Sequence, residues 1–268
     1  MNVSDVVNDL VAEQQALDDV VAPLTPEQWQ LATPSPRWSV GDQIGHLTYF
    51  DTTAALAIDD PAAFLAHRDE LVASFADELE VDAATLDRYR QLSPAEQLAE
   101  WRHRRDELER AGRSLADDTR VEWYGPSMGA KSFLTARLME VWAHGQDICD
   151  TVGTTRPPTD RLRHIAQLGV ITHGWSYAVR QQERPDVEVR VELEAPSGDR
   201  WSWGDDAATD RITGPAEDFC LVVTQRRHVD DTSLVVEGDA ARGWMTKAQA
   251  FAGGPTTGPD PGSFAQVT

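Results

Sequence analysis

The spacing of apolar residues changes once along this chain, at Arg184-Pro185, and that change divides what it can fold into. Before it, apolar positions such as Val6, Leu10, Val11, Leu17, Val20 and Val21 recur at helical spacing. After it, Val187-Glu188-Val189-Arg190-Val191-Glu192-Leu193-Glu194 alternates with period two, which predicts a half-buried strand. The expected organisation is an all-helical domain over 1–183, a small α+β domain over 184–252 and a flexible tail rich in Gly, Pro and Thr over 253–268.

Local signals place the elements. Thr25-Pro26-Glu27-Gln28 and Ser93-Pro94-Ala95-Glu96 each combine a capping hydroxyl, a proline at the first helical position and an acid in the first turn. Ser39 with Asp42 three residues on is a capping box. The helices expected run from Val3 to Leu24, Ser39 to Ile58, Asp60 to Glu80 and Ser93 through Leu115. After a loop at Gly125–Gly129, one more ends near Gly153 and another spans Asp160 to Gln182. In the small domain, Arg200-Trp201-Ser202-Trp203 pairs with the alternating strand across the turn Pro196–Asp199. A short extended piece at Ile212, a helix Pro215–Arg227, a strand Ser233–Glu237 and a helix Asp239–Phe251 complete it.

The formal net charge of -21 disfavours nucleic acid and anionic membrane surfaces as partners. No apolar run reaches the ~18 residues of a membrane span, and the first residues lack the charge and apolar pattern of a secretory signal. Two isolated cysteines, Cys149 and Cys220, make neither a disulfide framework nor a thiolate zinc site. The expectation is a cytoplasmic protein acting on a small molecule, as a monomer or homodimer.

Chemistry concentrates in Arg137-Leu138-Met139-Glu140-Val141-Trp142-Ala143-His144-Gly145-Gln146-Asp147. On a helix Glu140 and His144 leave one face a turn apart, with Arg137 and Asp147 on the same line amid apolar residues. Such a pair is either an exposed i,i+4 contact or half of a metal site. His46, two turns inside the helix started by Ser39, is the third candidate ligand. Two imidazoles and one carboxylate leave a coordination position open, as catalytic zinc sites do. Asp147 either orients a ligand imidazole or pairs with Arg137. His67 and His103 read as solvated positions, and His228 follows Arg226 and Arg227 at a helix end. Trp38 reads as packing at the start of its helix, and the two thiols as buried and lacking an activating charge.

The pattern W-[ST]-V-x-D-x-x-x-H from Trp38 to His46, followed downstream by R-x-x-E-x-x-x-H-x-x-D from Arg137 to Asp147, resembles the DinB-like superfamily. It looks most like the branch of mycothiol-dependent maleylpyruvate isomerase. The resemblance implies a DinB-like four-helix bundle followed by a small sterol-carrier-like α+β domain, for which Gly214-Pro215-Ala216-Glu217-Asp218 before a helix is the signal. It implies His46, Glu140 and His144 as ligands of a divalent metal, Zn2+ or Ni2+, and a low-molecular-weight thiol such as mycothiol as cofactor. Arg137 is then a candidate for cofactor binding, and Asp147, Arg226 and Arg227 are catalytic candidates, the two arginines binding a carboxylate. The implied activity is isomerisation or S-transfer on a small electrophile. A metal-dependent hydrolase using the same residues, and a non-catalytic ligand-binding protein with a structural metal, are the other readings. The segment between residues 59 and 92 is longer than in the shortest members and bears on pocket shape.

Overall fold

Side-chain oxygens begin the principal helices of the first half. In the computed structural model, which describes residues 2–73 and 78–264, Asn2 caps α1 (Val3–Val21) and Thr25 caps α2 (Pro26–Trp29). Ser39 caps α3 (Val40–Asp59) through a box with Asp42. α4 (Pro61–Ala73) and α5 (Glu78–Arg90) follow, and Ser93 with Glu96 caps α6 (Pro94–Arg113). Of the helix expected from Asp60 to Glu80, Pro61–Ala73 and the residues from Glu78 onward are helical; residues 74–77 lie outside the described residues. The loop expected at Gly125–Gly129 is partly strand: β1 (Arg120–Val121) pairs antiparallel with β2 (Met128–Gly129). α7 (Ala130–Val152) ends at Gly153, whose φ of 67° is the left-handed cap that favours glycine.

α1 packs on α6 and α7, and α3 packs on the same two helices, so the four long helices close a ring around one core. Leu10, Leu17, Ile44, Leu47, Trp101 and Leu134 fill it, each essentially without solvent contact. Burial of such side chains stabilises by about 1.5–3 kcal/mol apiece before the entropy of ordering them is counted. α4 and α5 lie against α3.

The chain divides between Arg156 and Pro157, whereas the change of period placed the boundary at 183. The reason is tertiary. α8 (Leu162–Ile171) packs on α10 (Ala216–Val223), with Gly169 so close to Val223 and Phe219 that a Cβ there would lie 2.9 Å from Val223. The helix expected from Asp160 to Gln182 breaks at Thr172, whose hydroxyl donates back to the carbonyls of Leu168 and Gly169. α9 (His173–Ala178) follows the break.

The second unit holds a four-stranded sheet of order β4-β3-β5-β6. β3 (Val189–Glu194) pairs antiparallel with β4 (Arg200–Trp203) and parallel with β5 (Asp210–Pro215). β6 (Val235–Glu237) pairs antiparallel with β5. Val191 and Leu193 alternate inward from β3, as the period-two pattern requires. α10 packs on β3 and β5, and α11 (Asp239–Met245) on β5 and β6. Asp210 accepts from the first amides of α11, Ala240 and Ala241, at 2.8 and 3.1 Å. α10 and α11 both stop short of the expected ends at Arg227 and Phe251. The segment read as a tail is hydrogen-bonded to its unit: Thr256 exchanges two bonds with Gln225, and Gly262 donates to Asp231. Among the described residues no helix is long and apolar enough to cross a membrane.

Candidate metal centre

Two rigid helices present three ligand atoms to one point. α3, started firmly at Ser39, carries His46 two turns in, and α7 carries Glu140 and His144 one turn apart. Oε2 of Glu140 lies 3.0 Å from Nε2 of His144 and 3.5 Å from Nε2 of His46. The two imidazole centroids are 4.4 Å apart, and the three ligand atoms all lie within 4.8 Å of one another. Ligands of one tetrahedral ion with bonds of ~2.0–2.1 Å stand about 3.4 Å apart, so the donor set fits a single small divalent cation.

The electrostatics suit a cation as well. Burial, with help from the nearby charges of His144 and Arg137, lowers the His46 pKa to about 4 against the pull of Glu140. Burial pushes the Glu140 carboxyl up, but the contacts with the His144 and His46 rings outweigh it and hold the group well below its ordinary value. A neutral His46 and an ionised Glu140 are the forms that bind metal.

Aromatic rings line the group on both sides. Trp38, expected to be packing alone, lies 4.9 Å from the His46 ring and stacks 5.8 Å from that of His144. Phe50 lies 4.6 Å from His46 on the next turn of α3, and Tyr124 and Trp123 continue the wall from the β1–β2 connection.

Asp147 and Arg137 are placed differently from the sequence expectation. Asp147 Oδ2 is 3.9 Å from His144 Nδ1, beyond hydrogen-bond reach, and accepts from Ser35 at 3.0 Å. Within hydrogen-bond distance of His144 Nδ1 is instead Oε1 of Gln43. Asp147 and Arg137 are also about 15 Å apart along α7 by helical rise, too far to pair. Arg137 reaches Asp51 at 3.0 and 3.3 Å, with both side chains buried and Gln14 donating to the other Asp51 oxygen. Burial pushes the Asp51 carboxyl up against the pull of Arg137. Arg137, a candidate for holding a cofactor, is thus engaged in a buried ion pair.

Arg226 and Arg227 belong to the second unit, and each donates to nearby backbone, Thr224 and Arg226 respectively. Arg227 also lies over the Phe264 ring at 4.2 Å. His67, read as solvated, meets the Tyr49 hydroxyl at 2.9 Å. Cys149 does have a positive neighbour, Arg156, yet burial prevails and pushes the thiol up; Cys220, wholly buried, is pushed well up. Gln43 and Trp38 are the site residues that sequence reading missed. A neutral amide carries no metal-ligand signature, but its position three residues before His46 on a capped helix puts it on the adjoining face.

A family model described as Mycothiol maleylpyruvate isomerase N-terminal domain matches residues 10–149. A second, described as Wyosine base formation, matches residues 185–237. An uncharacterized protein of Mycobacterium tuberculosis, from each of two strains, is 44% identical over 252 residues, covering 94% of this chain and 97% of the relative. Crystal structures of the mycothiol-dependent maleylpyruvate isomerase and of a mutant of it align with TM-scores of 0.55 and 0.57, at 16% and 15% identity. Both alignments span 84% of this chain and 90% of the other, and at such identity they speak for the fold.

Proposed function

The chain belongs to the mycothiol maleylpyruvate isomerase N-terminal domain family, and from that premise we propose that it is a metal-dependent enzyme using a low-molecular-weight thiol such as mycothiol. Its substrate in this reading is a small electrophile, and the reaction is isomerisation or S-transfer. The first unit is read as a DinB-like four-helix bundle and the second as sterol-carrier-like. The observation that carries the proposal is the convergence of His46 Nε2 and His144 Nε2 on one oxygen of Glu140.

A divalent ion, Zn2+ before Ni2+, keeps net positive charge in such a set and when bound lowers the pKa of a coordinated thiol or water. His46 and His144 would hold it through Nε2 and Glu140 through Oε2. The low His46 pKa keeps that ring neutral at neutral pH, so a second proton competes little with a cation. Trp38 and Phe50 flank the imidazoles and limit water at the site. In the second unit, Arg226 and Arg227 would bind a carboxylate.

The test is elemental analysis of the purified protein, followed by turnover of maleylpyruvate with and without mycothiol. Bound zinc and turnover that requires the thiol support the reading. Turnover that ignores the thiol assigns the site to water activation and hydrolysis. A protein that takes up neither zinc nor nickel at saturating concentrations refutes the metal assignment.

A further inference from the structure

The hydrogen-bond polarity around His144 can be followed back to a backbone carbonyl. The Trp38 carbonyl can only accept, and it receives the Thr33 amide at 2.8 Å and the Thr33 hydroxyl at 2.9 Å. A threonine hydroxyl has one proton. With that proton directed at Trp38, Thr33 Oγ1 faces its other neighbour as an acceptor. That neighbour is the Gln43 side chain, whose Nε2 stands 2.8 Å away. Gln43 is completely buried, so its amide has no solvent to turn toward. Nε2 is therefore directed at Thr33, and Oε1 at His144 Nδ1. A carbonyl oxygen cannot donate, so the proton of this contact belongs to Nδ1.

From this we infer that Gln43 is a positioning residue that sets the tautomer of His144. Neutral imidazole has one N–H. With that hydrogen on Nδ1, Nε2 presents a lone pair, and it is Nε2 that lies 3.0 Å from Glu140 Oε2. Two acceptors then face each other, an arrangement that needs a proton or a cation between them. Gln43 so prepares the second imidazole for a cation and disfavours the Nε2–H form that would close the site with a simple hydrogen bond to Glu140. Being an amide, it does this without adding negative charge, unlike the carboxylate that often backs a ligating histidine. The tautomer assignment stands on hydrogen bonds alone, while its consequence for metal rests on the proposed function.

The experiment uses the full chain and two independent readouts. In metal-free protein at about pH 9, well above the ordinary histidine pKa of ~6.5, imidazole 15N shifts report which nitrogen of His144 carries hydrogen. The wild type is expected to show Nδ1–H. Gln43→Leu, similar in size, is expected to lose that preference and to bind zinc about 10–100-fold more weakly in chelator competition. Gln43→Glu, which still accepts, is expected to keep Nδ1–H and bind zinc at least as well as wild type. Thr33→Val, which frees the amide to turn over while leaving Gln43 in place, is expected to weaken the preference. An Nε2–H wild type, or a Gln43→Leu protein with unchanged tautomer, overturns the inference. If the wild type shows Nδ1–H but binds no zinc, the role of Gln43 stands and the metal assignment falls.

Discussion

Oε2 of Glu140 stands 3.5 Å from Nε2 of His46, a contact that ties α7 to α3 across the helical core. Both residues are partly shielded, with side-chain exposures of 23% and 16%. That leaves the pair neither locked in the interior nor freely solvated, which suits a site that a small molecule must reach.

Replacing His46 by alanine should abolish high-affinity zinc binding while leaving the helical circular dichroism unchanged. Zinc at a thousand times its Kd stabilises a protein by about 4 kcal/mol. A zinc-dependent rise in Tm should therefore be seen in the wild type and be missing in His46→Ala. An equal rise in both proteins would mean that His46 is not a ligand.

Arg137→Leu should destabilise the fold rather than only weaken cofactor binding. It leaves Asp51 buried without its cation, a loss of about 3–5 kcal/mol for a broken buried pair. Adding Asp51→Leu should recover a substantial part of that, because the stranded charge is removed too. Urea denaturation of the two variants measures this. A single variant as stable as wild type that binds thiol poorly would restore Arg137 to cofactor binding.

Acid stability should carry the signature of His173 in the second unit. This ring stacks on Trp244 at 4.0 Å, and burial together with the nearby Arg184 charge lowers its pKa to about 4. The unfolded chain takes up a proton near pH 6.5, whereas the folded protein resists it until about pH 4. The folded form is thus favoured fully above 6.5 and progressively less as pH falls from 6.5 to 4. His173→Phe keeps a ring on Trp244 and removes the titration. Relative to wild type it should gain on the order of 1–2 kcal/mol between about pH 7.5 and 4.5, after allowing for solvent screening. Parallel stability curves for the two proteins would contradict this.

Gly145, next to His144 on α7, has no room for a methyl group. A Cβ there would lie 2.6 Å from Nη1 of Arg156, and that guanidinium is held by Glu13 at 3.1 Å and the Trp142 carbonyl at 2.7 Å. Gly145→Ala should cost about 1–3 kcal/mol, the usual range for overpacking. A melting temperature equal to wild type would show that Arg156 can swing away at little cost.

Capping chemistry made much of the helical half readable, since Thr25, Ser39 and Ser93 accept from the amides that their boxes predict. The spacing of Glu140 and His144 alone is a weak signature on a helix, and it was the resemblance of the two motifs that joined them to His46 as candidate ligands. Features that depend on distant neighbours were not readable. The break at Thr172 looks locally like continuous helix, and the division at Arg156 follows from the close approach of Gly169 to Val223. β5 pairs in parallel beside β3 although β4 intervenes in sequence, and short extended segments do not encode that choice. Asp147 was the natural partner for His144 by spacing and charge, but geometry favours a neutral amide on another helix.

α4 and α5 lie between the helix that supplies His46 and the one that supplies Glu140 and His144, yet they contribute none of the three. α4 meets the aromatic wall one layer out, where Phe64 stacks on Trp123. A change at Phe64 can therefore shift that wall from behind while leaving the three gripping positions untouched, so the outer layer is free to drift where the grip is not.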